Sequence, residues 1–530
     1  MTNSEIADTI KLTAQLMELH NENPFKIKSL NNASFQIDKQ PVALENSTKD
    51  EIEKLPGIGK SIAAKIDELN RTGQLAELTE ILSKTPSGLL EVLRIKGLGP
   101  KKVSTLWNDL GIESVGELYY ACIENRLITL KGFGTKTQEA VKKSIEYIQA
   151  NKGKFLYAHA EVIANSVVEE LRKKHKKVEL TGEIRRKNEI INSIDIVVES
   201  IDTIELPSVS IPIKINIIPA TQNSFHSTLF ETTATSAHLE KSEYNKLGTK
   251  NFASEEEIYK QLNLQYIEPE LREGLNEIEL AKTNSIPKLI ETTDLKGVLH
   301  NHTTYSDGIH TLEEMATHCK QLGYEYLGIC DHSQTAVYAG GLKPEAILKQ
   351  HAEIDILNEK LKPFKIFKGI ESDILNDGPL DYPEELLKTF DMVVASVHSS
   401  LKMDEERATK RLLKAIENPY TTILGHMSGR LLLSREGYPL DYKKIIDACA
   451  ANKVVIELNA NPHRLDIDWR WINYCLEKNV LISINPDAHE KDGFQDMYYG
   501  VCVARKGMVS AQTCLNAMSL NEISSFLKNK

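Results

Sequence analysis

The sequence predicts a multidomain protein with an all-α N-terminal region, an α+β middle region and a C-terminal α/β barrel. The chain has 530 residues, which is too long for one hydrophobic core. Short glycine turns recur between helical segments in residues 1–148, and seven short apolar runs alternate with helical segments after residue 293. We place the domain boundaries at residues 1–148, 149–292 and 293–530.

The composition is that of a globular protein, with 41% hydrophobic and 26% charged residues. No apolar run is long enough to cross a bilayer, and the first residues do not resemble a secretory signal. The seven cysteines are scattered without a Cys-x-x-Cys pair, so we expect a reduced protein in the cytoplasm. The net charge of −11 excludes a strong overall positive field and leaves nucleic-acid binding to local features.

Three glycine turns punctuate the N-terminal region, and each precedes a helical segment that carries lysine. Their sequences are LPGIGK at 55–60, IKGLGP at 95–100 and LKGFGT at 130–135. Two such glycines let the backbone turn sharply, and the free N–H groups of the next helix can then face an anion. The segments resemble helix-hairpin-helix motifs, which implies contacts with the DNA backbone. The residues expected to make these contacts are Gly57, Gly59, Lys60, Gly97, Gly99, Lys101, Gly132, Gly134 and Lys136.

The middle region shows the order of elements found in a nucleotidyltransferase palm. A predicted strand at 178–181 leads into the turn GEIRR at 182–186, and an alternating strand follows at 193–198. Together with the N-terminal motifs, this order resembles the family X DNA polymerases, with a palm and a thumb-like part. The resemblance adds Arg185 and Arg186 to the expected DNA contacts.

The catalytic carboxylates of that palm are incomplete in this chain. Family X palms use an Asp-x-Asp pair and a third aspartate to hold two Mg²⁺ ions. Here Ser193 stands at the first position, Asp195 is retained, and Lys214 stands at the third. Serine is a weak neutral ligand and a charged lysine cannot bind Mg²⁺. The pattern argues against Mg²⁺ at the palm and predicts loss of polymerase activity, with templated synthesis by a weakened site around Asp195 as the alternative.

The C-terminal region collects histidines and carboxylates at the ends of its predicted strands. Ten of the fifteen histidines lie between residues 300 and 489. Strand ends of a parallel barrel meet at one face, where the chemistry of such folds is found. Imidazole with carboxylate suits Mn²⁺, Zn²⁺ or Fe²⁺, and the absence of cysteine ligands argues against a structural zinc site. The candidate ligands are His300, His302, Asp307, His332, Glu371, His398, His426, Asp487 and His489.

The same stretch resembles the PHP (polymerase and histidinol phosphatase) domain, a distorted seven-stranded (β/α) barrel with up to three metal ions. The resemblance makes all nine candidates metal ligands and makes Glu371 the carboxylate that bridges two ions. Clustered divalent ions suit the hydrolysis of phosphate esters. We predict catalytic roles for Glu371, His398 and Asp487, and phosphate binding by Arg430, with Arg464 as a further candidate.

A phosphoesterase site joined to DNA-binding motifs points to DNA as the substrate. The resemblance implies a DNA repair enzyme with metal-dependent 3′–5′ exonuclease activity on gapped or 3′-ended duplex DNA, and the family's activities extend to cleavage at abasic sites. Three alternatives are open at this point. They are a working gap-filling polymerase, a phosphatase for small phosphomonoesters, and a non-catalytic DNA-binding scaffold.

Overall fold

The computed structural model describes residues 1–530 except 41, 124–125, 151, 201–203, 205–212 and 249–250. The described chain divides into two units, Met1–Lys152 and Gly153–Lys530. The first unit is helical, and the second contains small sheets, helices and a parallel barrel, which confirms the predicted fold class. Within the described ranges, no helix combines the length and apolar character needed to cross a membrane.

The first unit consists of helices joined by tight turns. Local sequence supplies the caps: Thr2 accepts a hydrogen bond from the backbone N–H of Glu5, and Asn23 caps the second helix in front of Pro24. Apolar residues on one side of each helix form a shared core. The helices are α1 (Asn3–Leu19), α2 (Pro24–Asp38), α3 (Lys49–Ile52), α4 (Lys60–Thr72), α5 (Ala76–Ser83), α6 (Ser87–Leu93), α7 (Pro100–Leu110), α8 (Val115–Ile123) and α9 (Thr135–Ala150).

The second unit opens with a small mixed sheet, which we call the palm-like sheet. Its elements are β1 (Phe155–Leu156), α10 (Tyr157–Arg172), β2 (Val178–Thr181), α11 (Gly182–Arg185), β3 (Ile190–Ile191), β4 (Ser193–Glu199) and β5 (Lys214–Ala220). Strand β4 pairs antiparallel with β2 and parallel with β5, which puts Asp195 between Thr181 and Asn216. Gly182 has a φ of +63°, and a Cβ there would lie 2.5 Å from Asp195 Oδ2, so only glycine lets the chain pass this carboxylate.

The helices after this sheet pack around a buried arginine. They are α12 (Phe225–Thr233), α13 (Ser236–Lys241), α14 (Glu255–Gln261) and α15 (Glu277–Lys282). The guanidinium of Arg272 is buried against three aromatic rings and donates a hydrogen bond to Glu255. Arg185 donates from both terminal nitrogens to the same carboxylate, and Arg186 donates to Glu273. Both guanidinium groups therefore pair with carboxylates of this unit, and the contact of Arg185 and Arg186 with DNA stays a prediction.

The described residues from 293 onward form a seven-stranded parallel barrel. Its strands are β6 (Gly297–Val298), β7 (Tyr326–Ile329), β8 (Lys365–Asp373), β9 (Met392–Ser396), β10 (Ile423–Leu424), β11 (Val455–Asn459) and β12 (Ile482–Asn485). Neighbours in the sheet are neighbours in sequence, and a backbone bridge between Asn301 and Ala488 brings the two outer strands together. The strands are buried on both faces, which explains their nearly continuous apolar sequences.

Helices surround the barrel and fill one of its ends. They are α16 (Leu312–Gln321), α17 (Pro344–Leu361), α18 (Glu384–Leu387), α19 (Glu405–Ile416), α20 (Tyr442–Asn452), α21 (Ile472–Glu477), α22 (Met497–Lys506) and α23 (Leu520–Lys528). Ile523 of α23 joins a core with Tyr326, Met392, Ile423 and Val455, each of which begins a strand. The amino ends of the strands are therefore closed by apolar packing, and the polar side chains gather at the carboxyl ends.

The Glu255→Gln substitution tests the buried charge pair at Arg272. The variant leaves the guanidinium buried without a counter-charge, which costs about 3–5 kcal/mol in comparable pairs. We expect the free energy of unfolding to fall by that amount in urea denaturation followed by circular dichroism. Glu256→Gln, at an exposed neighbour on the same helix, is the control and should change it by less than about 0.5 kcal/mol. Equal losses in the two variants would contradict the expectation.

Candidate metal centre

Nine side chains meet at the carboxyl end of the barrel. His300 and His302 follow β6, Asp307 lies in the next loop, and Glu371 lies near the end of β8. The remaining candidates follow β7, β9, β10 and β12 and are His332, His398, His426, Asp487 and His489. The strand order of the barrel therefore brings the whole predicted set together, although up to 189 residues of sequence separate its members.

Eight of these side chains form three overlapping groups, and the ligand atoms within each group lie within 4.8 Å of one another. The ninth, His426, contacts Glu371. The first group is His302, Asp307, His332 and His489; the second is His300, His302 and Asp487; the third is His332, Glu371 and His398. His302 and His332 each belong to two groups. Neighbouring sites with shared ligands are the arrangement that a cluster of divalent ions requires.

Glu371 lies at the centre of the cluster. Its carboxylate is fully buried, and nitrogens of five imidazole rings lie within 3.7 Å of its oxygens. His332 Nδ1 is 2.9 Å from Oε2, whereas His426 Nε2 is 3.0 Å from Oε1. Burial alone would raise the pKa of Glu371, but the charges of His398 and His300 hold it well below its usual range. The two oxygens therefore face different imidazoles, as a carboxylate between two ions must.

Asp487 and Asp307 are the other two carboxylates of the cluster. Asp487 Oδ1 lies 3.0 Å from His302 Nε2 in a hydrogen bond. Burial would raise the pKa of Asp487, but His300 holds it well below its usual range. Burial also acts to raise the pKa of Asp307, yet a hydrogen bond with His489 brings it down to about 2. Both carboxylates are ionised at neutral pH, which is the form that binds cations.

The donor set fits divalent cations. Four buried imidazole nitrogens of the cluster make no hydrogen bond to the described residues: His300 Nε2, His302 Nδ1, His332 Nδ1 and His426 Nδ1. Buried groups of this kind are normally satisfied, and imidazole lone pairs beside carboxylates are ligands for Mn²⁺, Zn²⁺ or Fe²⁺. Burial lowers the pKa of His398, but Glu371 raises it to about 10. Cations entering the cluster must therefore displace protons.

The palm-like sheet presents a different set of groups around Asp195. Its Oδ1 accepts hydrogen bonds from Ser193 Oγ at 3.0 Å and from Asn216 Nδ2 at 2.6 Å. Ser193 pairs with Lys214 in the parallel register, so all four side chains share one face of the sheet. A hydroxyl, an amide and an ammonium group surround a single carboxylate. The described part of this sheet contains no group of three His, Cys, Asp or Glu side chains that could hold a cation.

The three glycine turns of the first unit share one geometry. The first glycine of each turn has a φ between +80° and +91°, and the second directly precedes α4, α7 or α9. Open space surrounds the position of a Cβ at five of the six: Gly59, Gly97, Gly99, Gly132 and Gly134. Gly57 instead packs against Gln36. Lys60, Lys101 and Lys136 are exposed beside the turns, so an anionic partner can approach each helix start.

Comparison with known proteins agrees with this geometry. Residues 1–75 match the helix-hairpin-helix domain, residues 89–146 match the SAM-like helix-hairpin-helix tandem, and residues 299–461 match the PHP domain. The chain is 34% identical to the DNA polymerase/3′-5′ exonuclease PolX of Bacillus subtilis, in an alignment that covers all of both chains. The chain belongs to the PolX family.

Other relatives share only part of the PolX architecture. A probable phosphatase of a Thermoanaerobacter species is 29% identical over 44% of this chain and 96% of its own length. A probable phosphatase of Acetivibrio thermocellus is 30% identical over 30% of this chain and 63% of its own length. The resemblance drawn from the motifs is confirmed, and the helix-hairpin-helix and PHP matches indicate DNA binding and a metal-dependent centre.

The residues that orient the ligands were not among those predicted from the sequence. Glu457 of β11 is fully buried, hydrogen-bonds His300 Nδ1 at 2.7 Å and accepts the backbone N–H of His426 at 2.8 Å. Asp373 hydrogen-bonds His398 Nδ1. Glu457 is the one charged residue in the apolar run VVIEL at 454–458. A lone carboxylate inside a buried strand is the signal that could have identified it.

The guanidinium of Arg430 is held by contacts within the protein, and its phosphate-binding role stays a prediction. Its Nε donates to the carbonyl of Arg464 at 3.0 Å, its Nη1 donates to Asp468 Oδ2 at 2.9 Å, and its Nη2 donates to the carbonyl of Leu465. The guanidinium thus holds the loop that carries Arg464. Arg464 Nε lies 3.9 Å from Asp487 Oδ2, and its guanidinium donates no hydrogen bond to the described residues. Arg464 is therefore the arginine available at the cluster.

The Glu457→Gln substitution tests the orienting role of this carboxylate. Glutamine keeps the size but removes the charge that holds His300, and loss of such groups costs about 10- to 100-fold in metal affinity. We expect Mn²⁺ affinity, measured by calorimetry on chelator-stripped protein, to fall by that factor with an unchanged circular dichroism spectrum. Glu477→Gln, at an exposed carboxylate of α21, is the control. Equal affinities in the two variants would remove Glu457 from the metal site.

Proposed function

We propose that this PolX-family chain trims DNA as a metal-dependent 3′–5′ exonuclease, and that its palm no longer supports polymerisation. The observation that carries the proposal is the contrast between the two sites. Nine ligand-type side chains converge at the barrel, whereas the described side chains beside Asp195, which are those of Ser193, Lys214 and Asn216, add no second carboxylate to it. In this proposal, residues 1–148 bind DNA, residues 149–292 act as a scaffold, and residues 293–530 hydrolyse the phosphodiester during DNA repair.

The glycine turns support DNA as the substrate. Three open turns with exposed lysines give repeated contacts that depend on the phosphate backbone and not on the bases. Such a surface has no role in the hydrolysis of a small phosphomonoester. Full-length similarity to a relative named as a DNA polymerase/3′-5′ exonuclease supports the same substrate class.

Divalent ions such as Mn²⁺ in the cluster would bind phosphate oxygens, lower the pKa of water and stabilise the leaving oxygen. The chain's own residues set the geometry for this chemistry. Glu457 and Asp373 fix the rings of His300 and His398, whose Nε2 atoms then face Glu371. Arg464 offers N–H donors to the phosphate beside the cluster. Because the fold holds these groups in place, little reorganisation accompanies the reaction.

Hydrolysis of small phosphomonoesters is a second candidate function. It is favoured by the relatives named as probable phosphatases, which are similar to less than half of this chain. Gap filling by the palm is a third, and it requires a cation site that the described residues around Asp195 do not form.

Labelled gapped duplex DNA with Mn²⁺ tests these functions together. We expect the wild type to shorten the 3′ end with or without nucleotides. A His300→Ala/His302→Ala variant removes members of two ligand groups and should lose about 100-fold or more of this activity, whereas Asp195→Asn should retain it.

Two results would contradict the proposal. If the wild type extends a primer and Asp195→Asn abolishes that extension, the palm is an active polymerase site. Faster turnover of p-nitrophenyl phosphate than of a DNA 3′ end would favour the small-molecule phosphatase.

Loss of two turn lysines tests the DNA contacts of the first unit. If Lys60 and Lys101 each contact one phosphate, the Lys60→Ala/Lys101→Ala variant should reduce the slope of log affinity against log salt by about 2. We expect binding of gapped DNA at low salt to weaken by about tenfold or more in fluorescence anisotropy. Lys39→Ala/Lys84→Ala removes two exposed lysines outside the turns and is the matched control. An equal loss in both variants would show that charge alone, without the turns, accounts for binding.

A further inference from the structure

Within the second unit, the middle region packs against the loop that follows β11, residues 460–471, which we call the rim loop. Near one end of the rim loop, the buried Trp469 indole donates a hydrogen bond to Glu189 Oε2 at 3.0 Å. Near the other end, the ring centre of His463 lies 6.0 Å from that of His159 in α10. Side chains from the middle region therefore contact the rim loop at two points.

A continuous set of hydrogen bonds leads from Glu189 to the backbone of Arg464, whose side chain lies beside the metal centre. Arg470 Nη1 donates to Glu189 Oε1 at 2.8 Å and to Asp468 Oδ1 at 2.9 Å. Arg430 Nη1 donates to the other oxygen of Asp468 at 2.9 Å, and Arg430 Nε donates to the carbonyl of Arg464 at 3.0 Å. The backbone that carries Arg464 is thus fixed by two arginines and two carboxylates, and the first carboxylate comes from the middle region.

Glu189 has no part in either site described above. It is neither a member of the ligand cluster nor on the face of the palm-like sheet that carries Asp195. Its side chain is 8% exposed, and a buried carboxylate costs free energy unless cations and donors surround it. Burial raises the pKa of Glu189, but the charge of Arg470 lowers it below its usual value. Its side-chain partners, Trp469 and Arg470, both belong to the rim loop.

We propose that Glu189 is a positioning residue for the metal centre: it holds the rim loop so that the Arg464 guanidinium faces the cluster and binds the substrate phosphate. This inference deepens the proposed function and rests on it for the identity of the substrate. It gives the middle region a task in hydrolysis that does not need the lost palm carboxylates. Of these two residues, Arg464 contacts the phosphate, and Glu189 acts through Arg464.

A purely structural role for Glu189 predicts a different outcome. In that case, its loss would lower stability and would affect phosphate binding independently of Arg464. If Glu189 acts through Arg464, its loss should have little further effect once Arg464 is absent. A double-mutant cycle separates the two cases.

The experiment measures the affinity of inorganic phosphate for the full-length, Mn²⁺-supplied protein by calorimetry. The cycle comprises the wild type, Glu189→Gln, Arg464→Ala and the double variant. Glu183→Gln is the matched control, because Glu183 lies in the same segment but its side chain hydrogen-bonds only Asn192 among the described residues. Asp468→Asn interrupts the same set of hydrogen bonds at a second point and replaces Glu189→Gln if that variant does not fold. Metal content and circular dichroism are recorded for each protein.

We expect Arg464→Ala to weaken phosphate binding by about tenfold and Glu189→Gln by about three- to tenfold. The double variant should match Arg464→Ala within about twofold, and Glu183→Gln should match the wild type. Two results would overturn the inference. In one, the loss of phosphate affinity in the double variant equals the product of the losses in the two single variants. In the other, phosphate affinity is unchanged in both Glu189→Gln and Asp468→Asn. Phosphate binding does not require DNA cleavage, so a wild type that leaves DNA 3′ ends intact but shows the coupling would refute the nuclease and retain the positioning role.

Discussion

The buried carboxylate of Glu371 is the interaction on which the rest of the site depends. An anion with no solvent exposure is stable only if cations or strong donors surround it, and here five imidazoles from four strand ends do so. The parallel strands of the barrel bring those strand ends to one face. The same arrangement leaves imidazole nitrogens without hydrogen bonds to the described residues, and divalent cations would satisfy them. Glu371 thus depends on the barrel for its imidazole partners, and its buried charge is what makes those partners necessary.

Carboxylates beyond the cluster keep its members in place. Glu457 and Asp373 hold the rings of His300 and His398, and Asp468 holds the arginine that fixes the rim loop. The middle region adds Glu189 to this set. In this PolX-family chain, the contact of Glu189 with the rim loop gives the middle region a structural link to the barrel.

The sequence predicted features that depend on residue type and local spacing. The glycine turns and the nine ligand candidates are of this kind, since strand ends of a parallel barrel share one face wherever they occur in the chain. The carboxylates that pair with the arginine side chains could not be predicted from the sequence. Arg185 pairs with a carboxylate 70 residues away and Arg430 with one 38 residues away, and the same guanidinium suits a phosphate equally well. Glu457 was missed because its partner His300 is 157 residues distant.

The most direct test of the account is anomalous X-ray diffraction from crystals of the full-length protein grown with Mn²⁺, recorded at the manganese edge. The account predicts anomalous peaks at the carboxyl end of the barrel, one within each of the three ligand groups, with Glu371 between two of them, and no peak beside Asp195. Peaks at the palm-like sheet, or a barrel rim without manganese, would contradict it.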